Sequence, residues 1–244
     1  MKQTKIIMGM PITVEIIQIN YQKPFDKVFS YFHEVDDRFS PYKSDSELSK
    51  VNNGLNPSDW SKEMKEVMEL CAQTKRITGG YFDIDMGGKI DTSGLVKGWA
   101  INNAADMLLD MGFKDFYIEA GGDIQVYGNN EDGLPWEIGI RNPFNIDEIV
   151  KVVKLTNKGI ATSGTYIRGQ HIYNPHENYS HPTNIMSLSV IAPNIFEADR
   201  FATAAFAMGK SGIAFIDAIP EMEAYLIDNK RIATLSRGFT NYVA

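Results

Sequence analysis

The segment from Phe82 to Ala100 reads FDIDMGGKIDTSGLVKGWA, and it begins like a strand and ends as a helix. Apolar residues recur at helical spacing from Val96 to Met111, and Gly112 follows at a position where a helix can end. The sequence therefore predicts a helix whose start is capped by one of three polar residues, Asp91, Thr92 or Ser93.

The start of this predicted helix has the features of an anion site. Unpaired backbone N–H groups at a helix start attract phosphate, and Gly94 and Gly98 would let a ligand approach the backbone closely. Lys97 adds a positive charge within the first turn. The alternative is an ordinary capped helix with a solvated lysine, and glycine-rich turns are too common to decide between the two.

Composition narrows the class of protein. The chain has 244 residues, of which 43% are hydrophobic and 23% charged, and these values are ordinary for a globular protein. A net charge of −7 argues against nucleic acid or an anionic membrane as the main partner. The single cysteine, Cys71, excludes an internal disulfide framework, and no apolar run is long enough to span a bilayer. The N-terminus has no signal-peptide core, so we expect a cytoplasmic chain, with a removed export signal as the alternative.

The order of predicted elements indicates an α+β fold. Strand-like and hairpin-like segments are mixed with long helices, without the regular alternation of a doubly wound sheet. No repeat or linker interrupts the sequence, so we expect a single domain over residues 1–244 with mixed or antiparallel sheets and packed helices. Four local predictions concern the neighbourhood of the site. They are a polar loop or broken turn over residues 43–53, a helix capped by Ser58, a turn at Gly121-Gly122-Asp123, and a strand from His171 that Pro175 ends.

A second polar cluster lies on the helix predicted after Asn194. Asp199 and Thr203 are four residues apart and share one helix face, among alanine and phenylalanine residues. A carboxylate in such surroundings is costly unless it is paired or binds a metal, and a carboxylate with a hydroxyl suits Mg²⁺. The alternative is structural: Asp199 pairs with Arg200 or caps locally, and Thr203 bonds back to the Asp199 carbonyl.

Eight short motifs, taken together and in order, resemble the ApbE family, the FAD:protein FMN transferases. They are Met8-Gly9, FSPY at 39–42, YFD at 81–83, DTSGLVKGWA at 91–100, AGGDI at 120–124, ATSG at 161–164, HIYNP at 171–175, and EAD with AT within 197–203. The resemblance implies an α+β fold and transfer of the FMN half of FAD to a threonine or serine of a target flavoprotein. It also implies release of AMP and a requirement for Mg²⁺.

The resemblance further implies roles for individual residues. Asp199, Thr203 and the Gly94 carbonyl would hold the metal, which makes Asp199 part of the catalytic machinery. His171 would be the candidate base for the incoming hydroxyl. Tyr42 is read as part of the FAD site, with a surface aromatic of no role as the alternative. The residues implied at the FAD site are Met8, Tyr42, Tyr81, Phe82, Asp83, Asp91, Lys97 and Tyr173.

The sequence departs from the family pattern in four places, one of which is a segment between Asp83 and Asp91 that is shorter than in many members. The family's His-Ile-Ile-Asp-Pro-x-Thr-Gly is here HIYNPHEN over residues 171–178, without the acid, the threonine and the glycine. Met10 stands where threonine is common, and Glu119 where asparagine is common. Two other functions stay open: a Mg²⁺-dependent FAD pyrophosphatase that yields FMN and AMP, and a non-enzymatic FAD-binding protein. Residue types do not separate transfer from hydrolysis, because the nucleophile is not in this chain.

Overall fold

The computed structural model describes residues 1–165 and 172–244, and ten strands and six α-helices lie in these ranges. The strands are β1 (Lys2–Ile7), β2 (Met10–Ile16), β3 (Phe116–Ala120), β4 (Asp123–Tyr127), β5 (Trp136–Asn142), β6 (Asn145–Leu155), β7 (Lys158–Gly164), β8 (Ile185–Ala192), β9 (Glu223–Asp228) and β10 (Ala233–Leu235). The helices are α1 (Lys23–Phe39), α2 (Glu47–Asn52), α3 (Lys62–Ile77), α4 (Ser93–Asp110), α5 (Ile195–Ala207) and α6 (Gly212–Asp217).

Eight of these strands form one sheet in the order β1-β2-β3-β4-β7-β8-β9-β10. Each pair of neighbours in it is antiparallel. Strands β5 and β6 form a separate two-stranded antiparallel sheet, here called the β5–β6 hairpin. The prediction of an α+β fold with antiparallel sheets and packed helices is confirmed. None of the helices in the described ranges has the length and apolar character needed to cross a membrane.

The two faces of the main sheet are covered differently. Helices α1, α4 and α5 pack on one face and share the larger hydrophobic core with it, whereas the β5–β6 hairpin covers the other face over a smaller core. Strand β4 shows the division, because Ile124 and Val126 belong to the smaller core and side chains alternate along a strand. Between them, the side chain of Gln125 accepts a hydrogen bond from the amide of Ile195, the first residue of α5, at 2.7 Å.

The predicted helices α4 and α5 are confirmed, but the segment between α1 and α4 differs from the prediction. Residues 43–53 are not only a loop, since α2 forms there and its first turn is capped by Ser46, whose hydroxyl accepts from the amide of Ser49 at 3.0 Å. Helix α3 is capped by Ser61 and not by Ser58. Ser58 lies instead in a 3-10 turn, because Pro57 before it fixes the backbone of a separate turn.

The strand predicted to end at Pro175 is absent over its described part. Residues 172–174 contain no strand, and Asn174 makes only an isolated bridge with Ser180. The Asn174 side chain accepts a hydrogen bond from the amide of His176 at 3.0 Å and so begins a 3-10 turn. The first residue of the predicted strand, His171, lies outside the described residues.

Candidate active site

A cleft of about 530 Å³ opens beside α4 and α5. One wall consists of the α4 and α5 residues, with the end of β7, and the other consists of the loops around residues 81–91 and 172–179. We call these the helix wall and the loop wall. The cleft brings together most of the predicted site residues, namely Tyr81, Phe82, Asp83, Asp91, Gly94, Lys97, Tyr173, Asp199 and Thr203.

Two glycines allow α4 and α5 to approach each other closely. A Cβ atom at Gly98 would lie 2.6 Å from the Cβ of Asp199, and one at Gly94 would lie 3.1 Å from Cγ2 of Thr203. The two glycines are four residues apart on α4, and Asp199 and Thr203 are four residues apart on α5. Successive turns of the two helices therefore contact each other along one face. The sequence suggested that a ligand approaches the backbone at Gly98. In the structure, helix α5 occupies that position instead.

Asp199 is almost fully buried in this helix contact. Its Oδ2 accepts a hydrogen bond from the backbone amide of Gly98 at 2.7 Å, and its Oδ1 lies 3.6 Å from Nζ of Lys97. In a regular helix the Gly98 amide would donate a hydrogen bond to the carbonyl oxygen of Gly94. Here the Gly94 carbonyl oxygen accepts a hydrogen bond from Oγ1 of Thr203 at 3.3 Å. The helix wall thus carries a carboxylate, a hydroxyl and a carbonyl oxygen on adjacent turns of α4 and α5.

The ion pair between Asp199 and Arg200, considered as the structural alternative, does not form in the described part of the chain. Arg200 does not pair with Asp199; its guanidinium binds Glu197 at 2.7 Å and donates to Oγ1 of Thr74 at 3.2 Å. The Thr203 hydroxyl likewise donates across to α4 instead of only bonding back within α5. The side chains at positions 199 and 203 are therefore directed at α4.

Asp123 is a site residue that the sequence interpretation missed. It is buried at the start of β4, pairs with Lys97, and accepts a hydrogen bond from the amide of Thr162 at 3.1 Å. The two glycines before it predict a turn, which does form, and this local signal concealed the role of the acid. The alternation of polar and apolar residues in β4 could have revealed it. Asp123 and Gln125 occupy the sheet face opposite to that of Ile124 and Val126, so the sequence places two polar side chains on one face.

In the described part of the chain, negative charge exceeds positive charge around Lys97. Two buried carboxylates, Asp123 and Asp199, share the ammonium group of Lys97. Burial raises the pKa of Asp199 above its usual range and the neighbouring Asp123 raises it further, while Lys97 and the Gly98 amide act in the opposite direction. An additional cation beside Asp199 would stabilise its ionised form.

The oxygen set of the helix wall fits Mg²⁺. Among the residues that the structure describes, no group of three or more His, Cys, Asp or Glu side chains could hold a metal ion. A metal here would rest on one carboxylate, Asp199, with the Thr203 hydroxyl and the Gly94 carbonyl. Mg²⁺ is commonly bound in this way, by one or two carboxylates together with water and substrate phosphate oxygens.

The loop wall is aromatic and more exposed. The ring of Tyr81 lies 4.4 Å from the ring of His176, whose Nε2 is 2.9 Å from the carbonyl oxygen of Gly79. The ring of Tyr173 lies 4.4 Å from that of His181. Neither histidine was singled out in the sequence, because their ring partners are fixed by tertiary structure.

Polar contacts hold the loop that leads into α4. Nδ2 and Oδ1 of Asn52 bind the carbonyl and the amide of Ile90 at 2.9 and 2.7 Å. Oδ1 of Asp91 accepts from the amide of Ser93 at 2.9 Å, whereas Thr92, at the N-cap position, makes no capping bond with its side chain. Asp91 is thus the candidate cap that binds the helix start. In the preceding loop, Asp83 accepts a hydrogen bond from Lys75 at 2.7 Å.

Two predicted residues do not line the cleft, and a third lies outside the described residues. Met8 lies in the turn between β1 and β2, with φ +56°, and packs against the larger core. Tyr42 is 95% exposed after α1, although its neighbour Pro41 borders the cleft. His171 lies outside the described residues, and its role stays a prediction.

Comparison with known proteins gives consistent matches along the chain. A family model described as the ApbE family matches residues 8–89 and 85–226. A curated FAD:protein FMN transferase from Haemophilus influenzae is 23% identical over 98% of this chain and 92% of its own length. The protein of the same name from Escherichia coli K12 is 30% identical over 75% of this chain and 70% of its own length.

Solved structures share the fold. The flavin transferase ApbE from Vibrio cholerae has a TM-score of 0.86 at 22% identity, with 99% of this chain and 98% of that chain covered. The ApbE protein from Thermotoga maritima has a TM-score of 0.87 at 20% identity, with 100% and 99% covered. These likenesses extend over 99 to 100% of this chain and show that the fold is shared.

Proposed function

The chain belongs to the ApbE family, and from this premise we propose that it is an FAD:protein FMN transferase. It would attach FMN, taken from FAD, to a threonine or serine of a target flavoprotein and release AMP. The observation that carries the proposal is the helix wall, where the start of α4, Lys97 and the oxygen atoms of Asp199, Thr203 and Gly94 border a single cleft.

The cleft offers different surfaces to the two chemical parts of FAD. Tyr81, Phe82 and Tyr173 give the loop wall an aromatic surface for the flavin ring. The start of α4 offers backbone N–H groups, and Lys97 a charge, for the pyrophosphate. The ion pair with Asp123 limits where the ammonium group of Lys97 can lie.

Asp199, Thr203 and the Gly94 carbonyl would hold Mg²⁺. When bound, the ion supplies positive charge for the oxygens of the phosphate that is attacked. The Gly98 amide fixes one carboxylate oxygen of Asp199 and leaves the other directed toward Lys97. The close contact of α4 and α5 therefore sets the position of the catalytic carboxylate.

The transfer itself replaces the phosphoanhydride bond of FAD with a phosphoester bond to the acceptor. The acceptor hydroxyl oxygen attacks the phosphorus on the FMN side, and the bond from this phosphorus to the bridging oxygen breaks, so that AMP leaves with the electron pair. The hydroxyl proton passes to a base, for which His171 is our candidate from the sequence. Lys97, which lines the cleft, would contact the pyrophosphate oxygens during this exchange.

The test is incubation of the pure protein with FAD and MgCl₂, with and without a candidate acceptor domain that carries the family's threonine motif. Mass spectrometry of an acceptor heavier by one FMN, with AMP released, is the expected result. An acceptor Thr→Ala variant serves as the control and should stay unmodified. Free FMN and AMP without an adduct would replace the proposal by an FAD pyrophosphatase, and intact FAD in all samples would contradict both.

A further inference from the structure

A second groove, of about 600 Å³, lies between the main sheet and the β5–β6 hairpin. We call it the hairpin groove. Tyr117 and Glu119 of β3 belong to its floor, on the sheet face that the helices leave uncovered, and β5 forms its side. Gly121 and Thr162 line both this groove and the cleft. The two spaces therefore adjoin at these two residues, which we call the Gly121–Thr162 junction.

The side of the hairpin groove is the edge of a strand. Among the described residues, β5 pairs with β6 alone, so no strand of the described chain covers its other edge. Successive β5 residues, from Trp136 to Arg141, all line the groove. Because successive side chains of a strand point to opposite faces, such an uninterrupted run means that the strand edge borders the groove. A free strand edge binds extended polypeptide by accepting it as a further strand.

Glu119 gives the groove a negative charge beside the junction. Oη of Tyr117 donates a hydrogen bond to Oε2 of Glu119 at 2.7 Å. Of the three glutamates in the groove, Glu15 pairs with Lys2 at 3.2 Å and Glu137 with Lys154 at 3.5 Å. Glu119 has no salt-bridge partner within residues 1–165 and 172–244. Its carboxylate can therefore receive a donor from a bound segment.

We propose that the hairpin groove binds the acceptor protein, as an extended segment that adds to the free edge of β5 and presents its threonine or serine at the Gly121–Thr162 junction. A lysine, arginine or amide donor of this segment faces Glu119. The inference rests on the proposed function, since that function defines the acceptor. The junction is connected to the phosphate site, because the Thr162 amide binds Asp123, which pairs with Lys97.

The experiment compares Glu119→Lys and Glu119→Gln with Glu131→Lys, an equal charge reversal at an exposed loop position outside the groove. The probe is the candidate acceptor domain with the threonine motif, assayed at saturating FAD. We expect Glu119→Lys to raise the KM for the acceptor about tenfold and Glu119→Gln to raise it less, with FAD affinity unchanged. Glu131→Lys should behave as the wild type. Unchanged FAD affinity also shows that the variants are folded.

Hydrogen exchange supplies a readout that does not depend on turnover. Adding the acceptor domain to wild-type protein with FAD should slow amide exchange in the peptide covering residues 136–142 about tenfold. Equal acceptor KM values in all three variants, together with unprotected β5 amides, would overturn the groove assignment while FMN transfer by the wild type still stands. If the wild type forms no adduct with any acceptor, the proposed function fails, and this inference fails with it.

Discussion

The helix wall and the loop wall of the cleft are held in place by different kinds of contact. The helix wall places Asp123 and Asp199, both buried, against one lysine and fixes Asp199 through a backbone amide. The loop wall places Tyr81 against His176, an exposed side chain, through ring contact. Displacing a buried charge is costly, whereas an exposed ring contact is weak. The comparison suggests that the helix wall determines the rate of the chemical step and the loop wall the affinity for FAD.

The strongest test of this division is Asp199→Asn. The amide oxygen can still accept from Gly98, so the helix contact is kept while the negative charge is removed. We expect kcat for FMN transfer to fall about 10²- to 10³-fold, the range found when one preorganised electrostatic group is removed. FAD affinity, measured by flavin fluorescence, should change little. Asp110→Asn, at the exposed end of α4, is the control, and a variant at position 199 with wild-type kcat would remove the carboxylate from the mechanism.

Removing the shared cation should affect the stability of the helix wall. Lys97→Met leaves two buried carboxylates without their ammonium partner, and we expect the free energy of unfolding to fall by about 3 kcal/mol. Adding Asp123→Asn should restore part of that stability without restoring turnover. Urea unfolding of the two single variants and the double variant measures the coupling. Additive effects on stability would mean that the ion pair is not energetically coupled.

Gly98→Ala tests the close approach of α4 and α5. The new methyl would lie 2.6 Å from Cβ of Asp199 and 2.9 Å from the carbonyl oxygen of Ile195, and the second of these is backbone. Overpacking of this kind costs about 1–3 kcal/mol, and we expect a value near 2 kcal/mol, seen as a lower Tm. Gly94→Ala is the matched control, because its nearest contact is 3.1 Å, and it should be less destabilising. The reverse order would contradict the described helix contact.

The smallest expected effect is on the loop wall. His176→Ala removes the ring contact with Tyr81 and the contact with the Gly79 carbonyl. We expect the KM for FAD to rise about threefold with kcat unchanged, since one exposed aromatic contact contributes about 0.5–1 kcal/mol. His33→Ala, at an exposed position of α1, is the control. A loss in kcat larger than the change in KM would show that the two walls do not divide the work in this way.

The sequence predicted relations between residues of the same helix or strand. It missed contacts between residues of two different helices or strands. Asp199 and Thr203 could be paired because both lie on α5, and helix geometry fixes their relation. The contact of Asp199 with Gly98 could not, because it depends on how α5 packs on α4. Asp123 was missed for the same reason, since its partner Lys97 is on another element. Ser58 and Ser61 both fit the sequence preference for serine at a helix N-cap. Ser61 is the cap of α3, because Pro57 places Ser58 in a separate 3-10 turn.

The hairpin groove could not be predicted from sequence patterns. Buried and exposed residues alternate along β5, a pattern typical of a half-buried strand. Its free edge, and its position beside the cleft, depend on where the β5–β6 hairpin packs on the main sheet. The departure at Glu119 was visible in the sequence, but the groove that gives this residue a surface was not.

The hydrogen bond from Gly98 to Asp199 also has a kinetic consequence. It joins residues 101 positions apart, so the chain must close a long loop before the carboxylate reaches its place. Contacts of such high sequence separation slow folding, because their entropic cost precedes the stabilisation that they bring. The Asp199 carboxylate thus reaches its position only when the two distant parts of the chain have met. Regain of FMN transfer during refolding is consequently a measure of complete assembly, which the recovery of helix content alone is not.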